Sequence, residues 1–154
     1  MAKKTYKKWK QGCFTPQHPE KYKGSTPIVY RSSLELKVMH FFDNLSHVIE
    51  WGSESIVIPY IKPTTGRVHR YYTDFNVKMR SPDGKVRKYL IEVKPYKQTI
   101  PPTNHGNKKP KTLLYEQLTY AINHAKWDAA KEWCSKNGYI FTTFTEKDIN
   151  KYIK

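Results

Sequence analysis

The chain has 154 residues, room for one domain with a single hydrophobic core but not two. Twenty-eight Lys and Arg face thirteen Asp and Glu, a formal net charge of +15 that favours a polyanionic partner. No long apolar stretch and no signal-like apolar segment follows Met1, so neither a membrane span nor general secretion is expected; Cys13 and Cys134 lack zinc-ligand spacing and read as reduced thiols.

In chain order, residues 1–31 form a basic arm. It carries Lys7, Lys8, Lys10, Lys21, Lys23 and Arg31 against the single acid Glu20, with Tyr6, Trp9, Phe14 and Tyr22 interleaved. Cations gain free energy at a nucleic-acid backbone by releasing condensed counterions, and rings stack on unpaired bases. Contact with an acidic protein, or a solvated leader, is the competing reading. Gly12, Pro16, Pro19, Gly24 and Pro27 predict an extended arm without regular structure.

The remainder, residues 32–154, reads as the folded domain. Ser32 to Glu35 opens an amphipathic helix with apolar residues at Leu34, Val38, Phe41, Phe42 and Leu45. Two roles for Glu35 stand at this stage: a capping-box carboxylate that accepts the Ser32 amide, or an acid beside a site. A strand over residues 56–61 follows, preceded by Glu54, which is either a further acid for the site or a salt-bridge partner.

Residues 67–79 alternate, with Tyr71, Thr73, Phe75, Val77 and Met79 on one parity and Tyr72, Asp74, Asn76 and Lys78 on the other, which predicts a half-buried strand. Residues 86–94 alternate likewise and put Glu92 and Lys94 on one face. Between them, Pro82, Asp83 and Gly84 suit a three-residue hairpin loop, and that register sets Asp74 opposite Glu92. A two-residue turn would shift the pairing by one and send the acids to opposite faces. Hard oxygen donors without Cys or paired His predict Mg²⁺ or Mn²⁺, with Lys94 placed to balance charge on a phosphate or orient water.

Beyond Lys94, residues 96–111 form a long polar loop with Lys108, Lys109 and Lys111, read either as a DNA-gripping loop or as an excursion without contacts. Thr112 is expected to cap a helical stretch running toward Asn137-Gly138, either one long helix or two with a break near residues 124–126, and its apolar residues, Leu114 and Leu118 included, are expected in the core. A buried strand over 139–144 and a short helix from Thr145 complete the order. The fold class is α/β: a mixed central sheet flanked by helices in one domain.

The order helix-Glu35, strand-Asp74, strand-Glu92-x-Lys94 resembles the PD-(D/E)XK nuclease superfamily. More closely, Lys21-Tyr22-Lys23-Gly24, Tyr30-Arg31-Ser32-Ser33-x-Glu35, Trp51-Gly52-Ser53-Glu54, Ile58-Pro59-Tyr60, the run from His69 to Phe75, and Ile91 to Pro95 resemble the head completion nucleases of T-even-type tailed phages. The resemblance spans nearly the whole chain, with Thr73 standing where the superfamily usually has Pro. It implies a restriction-endonuclease-like fold and a Mg²⁺- or Mn²⁺-dependent DNA endonuclease, with Glu35, Asp74, Glu92 and Lys94 on the catalytic positions. It further implies action on packaged DNA ends, head or neck proteins as partners, and a place in the virion and the infected cell. Gln117 and Tyr120 match a Gln and a Tyr that many superfamily members carry near the metal, although their spacing is three rather than four. A DNA-sealing virion protein without activity, or an endonuclease subunit of transposase or resolvase type, are the alternatives.

Overall fold

The computed structural model describes residues 11–104 and 106–152. Strands β1 (Gly12–Phe14) and β2 (Ile28–Tyr30) form an antiparallel pair, and helix α1 (Ser33–Asn44) follows. Then come β3 (Val48–Ser53), β4 (Val57–Ile61), β5 (Val68–Tyr72), β6 (Phe75–Arg80) and β7 (Val86–Val93). Helix α2 (Pro110–Asn137), β8 (Tyr139–Phe144) and α3 (Glu146–Tyr152) close the described chain.

The central sheet runs β3-β6-β7-β8, antiparallel except for the parallel β7/β8 edge, and β4 and β5 pair separately. This is the expected mixed α/β architecture of restriction-endonuclease-like type, with a helix on each face. Residues of alternate parity divide between two cores. Phe75, Val77, Ile91 and Val93 face α1, where Val38, Met39 and Phe42 pack around Trp51. Leu90 faces α2 and joins Ile58, Tyr60, Tyr71, Ala130 and Cys134. Glu92 shares the parity of Leu90 and so points to the α2 side.

The hairpin register matches the three-residue loop. Phe75 pairs with Ile91 and Arg80 with Val86, the Ser81 amide bonds Lys85 at 2.8 Å, and Gly84 takes φ +82°, a left-handed value that a residue with a Cβ resists.

Four expectations are corrected. The single strand over 67–79 is two: at Thr73 the chain changes partners, its amide and hydroxyl both turning to the Ile56 carbonyl, so β5 pairs with β4 while β6 joins the central sheet. An unbroken alternation records which residues are buried, not which core they enter or which strand lies beside them: Tyr71 joins the α2-side core and Phe75 the α1-side one. Strand β3 was not foreseen, because Val48 to Ser53 carries Glu50 and Gly52 amid its apolar residues.

The arm is not irregular throughout either. Phe14 and Ile28 enter the α1-side core, and the buried Asp43 of α1 accepts the amides of Gln17 at 2.7 Å and His18 at 3.0 Å. Finally, α2 starts at Pro110 with Lys109 as its N-cap, runs unbroken through residues 124–126, and ends on left-handed Gly138. Twenty-eight residues at about 1.5 Å each reach about 42 Å. Strand β7, with eight residues at about 3.3 Å, reaches only about 26 Å. The first turns of α2 therefore overhang the sheet, and Leu114 and Leu118 are exposed rather than core. No helix of the described residues is long and apolar enough to cross a membrane.

Candidate active site

Asp74 sits at the junction where the chain leaves β5 for β6. Its backbone carbonyl accepts the Glu54 amide at 3.0 Å, and its Oδ2 accepts the Val93 amide at 2.8 Å, just past the last β6/β7 rung. No hydrogen bond among the described residues uses Oδ1. Burial pushes its pKa well above the usual carboxylate range, and the charge of Glu92 pushes the same way, against the Val93 amide and Lys94.

Glu92, 3 % exposed, is fixed on one oxygen by the Tyr71 hydroxyl, which donates to Oε2. Its Oε1 lies 3.5 Å from Lys94 Nζ. Burial and the neighbouring carboxylate hold the Tyr71 proton on, so this hydroxyl is a permanent donor. Sequence reading missed Tyr71; its place on the buried parity was legible, but a strand neighbour cannot be read from a pattern that does not specify its pairing.

Glu35 performs the capping role with a shifted partner. Its amide donates to Ser32 Oγ at 3.1 Å, while its Oε2 accepts the Arg31 amide at 2.9 Å, where the Ser32 amide was expected. Its pKa is raised, by burial first, with Glu54 raising and Lys94 lowering it. Glu35 is thus in Coulomb range of the hairpin acids. Glu54, at left-handed φ 53°, pairs with Arg31. Among the described residues no three Asp, Glu, His or Cys side chains are drawn together as a ready metal cage.

Two carboxylates nevertheless fit a hard divalent cation. Asp74 and Glu92 are each held through one oxygen, press against each other's charge, and are partly compensated by Lys94. Oxygen donors of this kind suit Mg²⁺ or Mn²⁺.

The expected DNA contacts are placed unevenly. Lys7, Lys8 and Lys10, with Tyr6 and Trp9, lie outside the described residues. Lys21 donates to the carbonyls of Asp43 at 3.1 Å and Leu45 at 3.0 Å, capping the end of α1 rather than facing solvent. Phe14 and Tyr22, expected as base-stacking rings, pack edge-on to Trp51 instead. Lys23 is exposed. Lys108 pairs with Glu116 at 2.7 Å, whereas Lys109 and Lys111 are exposed at the start of α2, whose first turn holds no acid. Between this overhang and the preceding loop lies a cavity of about 450 Å³, lined by Lys97, Lys108, Tyr115 and Tyr120 among others. Gln117 is exposed, and the Tyr120 ring lies tilted against His124 with centroids 4.2 Å apart.

Residues 45–146 match the model of the TnsA-like endonuclease N-terminal family. Over 142 residues, 90 % of this chain and 92 % of the relative, the sequence is 34 % identical to the head completion nuclease of Enterobacteria phage T4. The matched span takes in β3 through β8, and with them Asp74, Glu92 and Lys94. By both measures the chain belongs to the TnsA-like endonuclease family and is a homologue of the phage head completion nuclease.

Proposed function

We propose that the protein is a divalent-metal-dependent DNA endonuclease that hydrolyses phosphodiester bonds at packaged phage DNA ends as the head is completed, in the infected cell and at the head or neck of the virion. The observation that carries this reading is the half-buried Asp74 and the buried Glu92, whose charges act on each other beside a lysine ammonium. Like charges so placed repel one another, and a cation relieves the repulsion.

Asp74 and Glu92 would hold Mg²⁺ or Mn²⁺, with Glu35 completing the set directly or through water. Bound there, the ion supplies Lewis acidity and a nucleophile competent at neutral pH. The remaining work belongs to the chain. Tyr71 and the Val93 amide hold each carboxylate through one oxygen and leave the other to the ion. Lys94, only 3.5 Å from Glu92, stabilises charge gathering on the phosphate. Lys109 and Lys111, clustered at a helix N-terminus where backbone amides also attract anions, bind flanking phosphates together with Lys23, Arg31 and Lys108.

Incubation of supercoiled plasmid with Mg²⁺ tests the reading. Wild type should nick it, and Glu92→Ala and Lys94→Ala should lower the rate by at least about 10²-fold, the scale of losing one group that stabilises developing charge. Equal nicking by all three proteins would reject the site. No nicking by wild type, with DNA binding intact, would favour a sealing protein instead.

A further inference from the structure

Helix α2 presents Ala130 and Cys134 to the sheet, buried against Tyr60, Tyr71 and Leu90. One turn before Ala130 on the same helical stripe is Lys126. Its Nζ lies 5.5 Å from the Tyr71 ring centroid and 5.8 Å from that of Tyr60, so the ammonium is held between two aromatic faces. Tyr71 is the residue that donates to Glu92, which puts Lys126 at the carboxylate end of the stripe. The charges of Glu92, Asp74 and Lys94 all act on it.

Lys126 is half-buried, yet it forms no ion pair among the described residues. A partly desolvated ammonium without a direct ion-pair partner costs free energy that an apolar side chain packed between the same rings would not. Burial pulls its pKa below the usual lysine range, as does Lys94, against the opposing pull of Glu92 and Asp74. Lys94 reaches Glu92 from the strand, and Lys126, on the helix, is held over the Tyr71 ring whose hydroxyl binds the same carboxylate. An anion seated at the carboxylate pair would meet one ammonium from each side.

We propose that Lys126 is a phosphate-binding residue of the cleavage site, posed by Tyr60 and Tyr71 to take a non-bridging oxygen of the phosphodiester held at Asp74 and Glu92. This rests on the nuclease reading for the identity of the anion. A lysine that contacts a phosphate leaves a mark that a merely structural one does not: its loss lowers the salt dependence of binding.

The test is fluorescence anisotropy of a short labelled duplex with the full chain in Ca²⁺, titrated with monovalent salt, for wild type, Lys126→Met and Lys126→Arg, alongside plasmid nicking in Mg²⁺. Lys126→Met should bind several-fold more weakly and lower the log–log salt slope by about 0.9, the share of one phosphate contact. Lys126→Arg should keep the slope. An unchanged slope in Lys126→Met, whether its affinity falls or not, would overturn the proposal. Should Lys126→Met fail to fold, Lys126→Gln, which keeps a polar end in the half-buried position, carries the same comparison. If wild type does not nick but the slope falls, the nuclease reading fails and the phosphate contact stands. If wild type nicks and the slope is unchanged, the reverse holds.

Discussion

At the scale of single residues, Asp74 is held where its ionised form is disfavoured. The folded Asp74 has a pKa raised above its ordinary 3.8, chiefly by burial and then by Glu92. A raised folded pKa means that the native state binds the proton more tightly than the unfolded chain does. The contribution to stability is therefore fully present below 3.8 and is lost as pH rises through the folded value. At neutral pH without divalent metal, Asp74→Asn removes this penalty and keeps an oxygen for the Val93 amide. Its melting temperature in EDTA should exceed that of wild type by roughly 2–4 °C for each kcal/mol relieved. The difference should vanish in acid, and nicking should be lost, the exchange of stability for activity common at functional sites. A lower melting point for Asp74→Asn at neutral pH would contradict the assignment of Asp74 as a half-buried anion disfavoured by its surroundings.

At the scale of elements, the start of α1 joins a local signal to the site. Ser32 Oγ accepts the Glu35 amide, and the Glu35 carboxylate in turn accepts that of Arg31, so the cap also orients the acid. Ser32→Ala should cost about 1 kcal/mol, seen as a drop of about 2–4 °C in melting temperature, while Ser32→Asp, which retains an acceptor, should restore most of it. No change in Ser32→Ala would mean that the cap is not formed in solution. Among the elements, α1, the β6/β7 hairpin with its Pro82-Asp83-Gly84 loop, and the stop at Gly138 were legible, because each rests on contacts within a few residues. The division of β5 from β6 was not. Thr73 keeps the alternation intact while its hydrogen bonds go to Ile56, seventeen residues earlier. The exposed first half of α2 was equally hidden, since Leu114 and Leu118 follow helical spacing whether or not a sheet lies beneath them.

At the scale of the whole molecule, the arm is tied in by one buried group. The Asp43 carboxylate accepts two backbone amides, of Gln17 and His18, more than twenty residues away in sequence. Hydrogen bonds to charged groups contribute about 1.5–3 kcal/mol each, and orphaning two amides adds to the loss. Asp43→Ala should therefore destabilise by about 3 kcal/mol or more and speed proteolytic cleavage near residues 15–20, measured by thermal melting and limited proteolysis. Unchanged cleavage there would show that Phe14 and Ile28 alone anchor the segment. Sequence by itself determined the fold class, the basic balance, the hairpin register and the shared face of Asp74, Glu92 and Lys94, since side-chain parity and turn chemistry are properties of neighbouring residues. Only the tertiary structure decided that Lys21 caps α1, that Tyr71 grips Glu92, and that Lys126 of α2 arrives between two tyrosines of β4 and β5. Those contacts join elements distant along the chain, and no local pattern specifies which surfaces will meet when the core closes.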